Sequence, residues 1–232
     1  MTFRSLICSS AIVLPALAAD IGGQFELVNP RGAKQASAPN IAVWLEPAQG
    51  RPGPAPASRV HVITQKGKRF MPHINVVQVG TTVDLPNFDP IFHNAFSNFA
   101  GQPFDTGLYP PGGTHKVRFQ RDGVVRVFCN IHATMSAVIV VTPGPWFDTT
   151  GRDGRFRISG VPAGDYTLKI WHERATAETL KSLERRVTIT DGDSLLPTIA
   201  IAESAVEAPH SNKYGRPYTA PPEDRGQYRS KK

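Results

Sequence analysis

"VRVFCNIHATMSAVIVV", residues 125–141, starts as an alternating strand and breaks at Cys129. It then places an imidazole at His132 and a thioether at Met135 before resuming as the apolar run "SAVIVV". An interruption of this kind between two strands reads as a short loop, and binding groups are commonly mounted on loops held by a rigid frame. Thiolate, imidazole and thioether are soft or borderline donors that together suit copper and disfavour hard cations. A further donor must come from another part of the chain. His93, in "DPIFHNAFS", is the best candidate, because it follows the strand-ending "LPN" and opens an irregular, aromatic-rich segment.

Outward from this stretch the chain continues in short apolar pieces, "RVHVITQ", "INVVQVG", "TTVDLPN", "HKVRFQ" and "VVRVFC", each bounded by Gly, Pro, Asn or Asp. With 20 Gly and 21 Pro among 232 residues, this is the text of an all-β protein with room for two domains. The first residues, "MTFRSLICSSAIVLPALAAD", carry one positive charge at Arg4, an apolar middle and a small-residue exit, the pattern of an export signal over 1–19. The product is then periplasmic or secreted, with no membrane span. Cys8 leaves with the signal, so Cys129 is alone and cannot form an internal disulfide; metal ligation would protect it in an oxidising compartment. The net charge of +7 is scattered along the chain, which argues against nucleic acid and for weak attraction to acidic surfaces.

The motifs "HN" at 93–94 and Cys-x2-His-x2-Met at 129–135, behind the frame "RFMPHINVVQVGTTVDLPNF", resemble those of the blue-copper proteins, or cupredoxins. The ligand loop is most similar to that of amicyanin, and the longer frame to periplasmic methylamine utilization proteins. The resemblance covers residues 59–142 and implies a Greek-key β-sandwich. It also implies His93, Cys129 and His132 as trigonal copper ligands, Met135 as the long axial one, and Asn94 as the residue that ties the ligand loops together near the sulfur. One copper ion cycling between Cu(I) and Cu(II) would make the chain a one-electron carrier for a redox partner protein, with His132 as its port and Ala133 and Phe96 in the docking patch. Copper delivery is the alternative, as is a carbohydrate- or protein-binding module with an accessory copper site. A zinc site is disfavoured because only one Cys remains, and four protein donors leave no open position for a substrate, so no enzyme is expected. Of the other histidines, His61, His115 and His172 read as surface or packing residues, His73 as structural, and His210 as a tail residue capable only of weak adventitious binding.

After "TPGP" the text changes. "FDTTGRDGRFRISGVPAGDYTLKIWHE" resembles the carboxypeptidase regulatory-like domains, which are small transthyretin-like β-sandwiches. Their opening strands are missing from 142–155 and are supplied instead by "GQFELVNPRGAKQASAPNIAVWLEP". The expectation is a discontinuous sandwich, 20–50 plus 146–203, into which the copper domain is inserted, with glycan or protein as its possible ligand. Residues 175–186 read as a helical turn or a charged loop. Residues 204–232, dominated by Pro, Gly and charge, read as a disordered tail.

Overall fold

A computed structural model describes residues 18–49, 60–98, 102–190, 192–204 and 210–218. The expected export signal over 1–19 thus lies almost wholly outside the described residues, as does the linker "GRPGPAPAS". Among the described residues the fold is nearly all β, and its one α-helix is Ala177–Leu183, capped at its start by the Thr176 hydroxyl, which accepts from the Thr179 N–H. Among the described residues no helix is long and apolar enough to cross a membrane.

The chain builds two β bodies. In the first, Ala18–Val28 pairs antiparallel with Arg155–Pro162 and parallel with Ile199–Ala202 and Ser194–Leu195. A facing sheet is made of Phe147–Thr149, Ala42–Pro47, Gly164–Trp171 and Arg185–Ile189, antiparallel throughout. Strict alternation along Ala18–Val28 sends Ala19, Ile21, Phe25 and Leu27 inward, where they meet Ile41, Val43 and Leu45 from the other sheet. Among the described residues, all hydrogen-bonded strand partners of the segment 18–47 come from residues after 146, and none from 60–142.

The second body takes in residues 60–142. One sheet runs Ile74–Gln78, Ser136–Thr142, Gly123–Phe128, Phe96–Ser97, Phe104–Asp105, with the first pair parallel and the rest antiparallel. Across the core lies Thr114–Arg118 paired with Thr82–Pro86, which is parallel to His61–Val62. The strand Ser136–Thr142 explains why "SAVIVV" does not alternate in polarity. Its Ala137, Ile139 and Val141 fill the core of this body, while Val138 and Val140 point the other way. There they join Ile74 and Val76 in a second apolar layer against Ala42 and Trp171 of the first body. A strand buried on both faces has no reason to carry polar residues on either. This seam packs the two bodies back to back, and His73 and Arg126 of one reach Glu173 of the other at its edge, at 2.7 and 3.8 Å.

Two expectations need correction. Residues 210–218, read as part of a disordered tail, form a compact turn: Asn212 Oδ1 accepts from the N–H groups of Tyr214 and Arg216, and the turn packs on the second body. His210 is therefore no free tail residue; its ring stacks on Phe128 with centroids 4.1 Å apart. Composition mispredicted the segment because its order comes from what it rests on, not from an apolar stripe of its own.

Candidate metal centre

The strand Gly123–Phe128 delivers Cys129 to one end of the second body, and the turn that follows is closed by two backbone hydrogen bonds. Cys129 N–H donates to Met135 C=O and Met135 N–H donates to His132 C=O, both at 3.0 Å. His93 is held from the opposite side by a two-way backbone bridge to Tyr109. These two anchors bring three donor atoms together. His93 Nδ1 lies 3.1 Å from His132 Nδ1 and 3.9 Å from Cys129 Sγ, and His132 Nδ1 lies 3.6 Å from the sulfur. His93, Cys129 and Met135 are fully buried, whereas His132 is half-buried.

Asn94, next to His93, spans the two segments: its Oδ1 accepts the Asn130 N–H at 2.7 Å and lies 3.6 Å from Cys129 Sγ. Met135 shares the buried cluster of Cys129, Ala95 and Phe119 at the end of the loop. Nothing in the reading of the sequence singled out Asp89. Its carboxylate accepts from the backbone N–H groups of Gly67 and Lys68, at 2.6 and 2.8 Å, and from His93 Nε2–H at 2.7 Å. The pairing fixes the His93 tautomer, because a proton on Nε2 leaves Nδ1 as a lone pair aimed at the cluster. The signal available was Asp89 standing four residues before His93 in "DPIFH", but only the fold shows that the intervening turn points both inward.

Electrostatics favour a ligand-ready sulfur. Burial pushes the Cys129 thiol up, but hydrogen bonds with His132 and His93 outweigh it and bring it down to about 6. Burial opposes the charged form of His93, yet the neighbouring sulfur and Asp89 raise it above the usual imidazole range. Burial also works against the Asp89 carboxylate, and the Lys68, His93 and Gly67 hydrogen bonds more than compensate, so its pKa is lowered.

The donor triangle fits a metal ion. A point equidistant from the three atoms lies about 2.1 Å from each, close to metal–imidazole bonds of about 2.0–2.1 Å and a little inside metal–thiolate bonds of about 2.3 Å. Among the described residues these three are the one group of His, Cys, Asp and Glu side chains so arranged. The remaining histidines have other partners. His61 bonds Asn75, His73 bonds Glu173 and Ser136, His115 packs on Tyr109, and His172 bonds Glu203.

About a third of the chain is similar in fold to cupredoxins. A Cu(I) mutant of amicyanin is 18% identical, over 35% of this chain and 81% of that one, with a TM-score of 0.34. A purple cupredoxin from Nitrosopumilus maritimus is 23% identical, over 35% of this chain and 99% of that one, with a TM-score of 0.33. A copper-containing nitrite reductase from Thermus scotoductus SA-01 is 26% identical, over 41% of this chain and 26% of that one, with a TM-score of 0.35. No family model and no curated protein matches the chain.

One expected docking residue is misplaced. Phe96 is 2% exposed, since it pairs with Phe128 in the sheet and belongs to the interior. The large apolar side chains exposed on the site's own loops are Phe88 and Phe92 before His93, Leu108 beside Tyr109, and Ile131 beside His132.

Proposed function

We propose that the protein is an exported type 1 copper protein that carries one electron at a time and catalyses no reaction of its own, with His93, Cys129 and His132 as trigonal ligands and Met135 as the axial one. The observation that carries this reading is the convergence of His93 Nδ1, Cys129 Sγ and His132 Nδ1 within 3.9 Å of one another at a buried end of a β body. Two imidazoles, one thiolate and a neighbouring thioether are the donor set associated with blue copper.

A bound copper ion would supply the one-electron couple. The chain supplies everything else. Asp89 holds the orientation and tautomer of His93, the Met135 and His132 backbone bonds keep the Cys129 loop from opening, and Asn94 ties that loop to the His93 segment. Such a cage resists rearrangement, which is what a fast carrier needs from its protein. The half-buried ring of His132 is the route by which electrons reach the surface, and Phe88, Phe92, Leu108, Ile131 and Ala133 offer an apolar face to a redox partner protein. The other β body serves as a scaffold, packed on the copper-binding body through the apolar layer of Ala42 and Trp171.

Adding Cu(II) to the purified protein tests the reading: an intense absorption band near about 600 nm is expected, and it should vanish in Cys129→Ser. A colourless complex with the wild-type protein would overturn it. If the apolar face is the docking surface, Ile131→Glu slows electron self-exchange between copies by about tenfold, as expected when about 1.4 kcal/mol of encounter stability is lost to a buried charge. An unchanged self-exchange rate would move the docking surface elsewhere.

A further inference from the structure

The segment 210–218 packs on the thiol-bearing segment of the candidate metal centre through three kinds of anchor. The Tyr218 hydroxyl donates to the carbonyl oxygen of Cys129 at 2.9 Å. The His210 ring lies stacked between neighbours, 4.1 Å from Phe128 and 5.2 Å edge-on from Tyr218. Lys213 donates its backbone N–H to Asn130 Oδ1 at 3.0 Å and its Nζ to Asp105 Oδ2 at 2.7 Å, and its carbonyl accepts from Asn98 Nδ2. The residues held are thus Phe128, Cys129 and Asn130 on the thiol-bearing segment, Asn98 just after the short strand Phe96–Ser97 that follows His93 and Asn94, and Asp105 on the strand paired with it. Asp105 in turn accepts from Asn94 Nδ2, the side chain that lies beside the sulfur.

The segment also has its own internal order, set by Asn212 and by Gly215 at φ 75°, so it reaches the site as a preformed unit. Its chain comes from Ile199–Ala202, a strand of the other body. One body therefore furnishes a strap that buckles the ligand-bearing segments of the other.

We infer that residues 210–218 are a locking strap for the thiol-bearing loop, in which Tyr218 and His210 are positioning residues that hold Cys129 in place and keep it covered. Reagents can reach the buried sulfur only when the loop opens locally, and each anchor lost makes that opening more frequent. The lock needs Cys129 but not the metal, so it operates in the copper-free protein as well. With metal bound, the same opening must precede release of the ion, so the strap makes the protein a retainer of copper and works against a delivery role.

The test uses the full chain with Tyr218→Phe, the double variant Tyr218→Phe/His210→Ala, and Tyr166→Phe as a control. Tyr166 makes a comparable hydroxyl-to-carbonyl bond, to Pro162 at 2.8 Å, in the body remote from the site. In copper-free protein under native conditions, the rate of Cys129 labelling by a maleimide should rise about fivefold in Tyr218→Phe, the factor that goes with one neutral hydrogen bond of about 1 kcal/mol. It should rise about twentyfold or more in the double variant, where an aromatic contact is lost as well. Tyr166→Phe should label at the wild-type rate. In Cu(I)-loaded protein, transfer of the metal to a competing chelator should accelerate in the same order. Labelling of the double variant at the wild-type rate would overturn the strap, as would an equal acceleration in Tyr166→Phe. If instead labelling follows the expected order and no variant, nor the wild type, retains copper, the strap stands and the copper assignment falls.

Discussion

Asp89 joins three hydrogen-bond donors at one buried carboxylate, two from the backbone of Gly67 and Lys68 and one from His93. Replacing it with Asn keeps the volume but turns part of the acceptor into a donor that faces N–H groups. The loss is a charge-assisted bond together with an unsatisfied amide, worth about 2–4 kcal/mol when both groups are buried. Asp89→Asn should therefore lower the denaturation midpoint of the copper-free protein markedly. It should also weaken copper retention, since both Nδ1 and Nε2 of His93 are then free to carry the proton. A chelator competition showing wild-type retention would mean that His93 needs no help with its tautomer. The order and spacing of His93, Cys129 and His132 made this cluster legible, because a short loop between strands leaves little freedom in where its side chains point. Asp89 was not legible, because its partners Gly67 and Lys68 belong to a remote turn and an irregular segment has no periodicity to read. Phe96 misled for a related reason: a strand of two residues is too short for alternation to tell the inner face from the outer.

At the scale of elements, the Asp-Gly pair in "GRDGRF" is a tight-turn signal, and Gly154 adopts φ 72°, a left-handed conformation that costs little only for glycine. The turn is also tucked against the neighbouring strand. Phe25 N–H donates to Gly154 C=O, and a Cβ at Gly154 would collide with the Phe25 carbonyl oxygen while meeting Ala38 Cβ at 3.0 Å. Gly154→Ala therefore combines strain with a backbone clash and should destabilise the protein by at least about 2 kcal/mol in chemical denaturation. The same substitution at Gly160 meets open space at φ 70° and should cost only the conformational strain, about 1 kcal/mol. Equal losses at the two positions would show that crowding against Phe25 is relieved by movement of the strand. The helix Ala177–Leu183 was half-legible: its N-cap Thr176 and the first-turn Glu178 are conventional signals, but seven residues are too few for a periodic apolar face, and none of them is buried.

For the whole molecule, the decisive feature is the seam between the two bodies, and the run "SAVIVV" already contained it. An uninterrupted apolar strand is what a sheet covered on both faces requires, although periodicity alone does not say what the second cover is. The edge of this seam carries a titratable bridge, in which His73 donates from Nδ1 to Ser136 C=O and from Nε2 to Glu173. The Glu173 hydrogen bond raises the His73 pKa above 6.5, and the same bond lowers that of Glu173 below 4.5. A raised histidine stabilises the fold fully below its unfolded value and loses that contribution as the pH climbs through its folded one. A lowered carboxylate stabilises above its unfolded value and loses that contribution as the pH falls through its folded one. The bridge is therefore at full strength between about pH 4.5 and 6.5 and fades on either side. Both side chains are partly exposed, so the effect is modest and screened by salt. Unfolding of copper-free wild type and His73→Gln, followed across pH 4 to 9, should show the largest gap between the two proteins inside that window. The gap should narrow towards alkaline pH as the wild-type imidazole loses its charge, leaving two neutral donors to compare. A gap that widens above about pH 7 would mean that neutral His73 is the form the seam selects, and that Arg126, not His73, is the main counter-charge for Glu173.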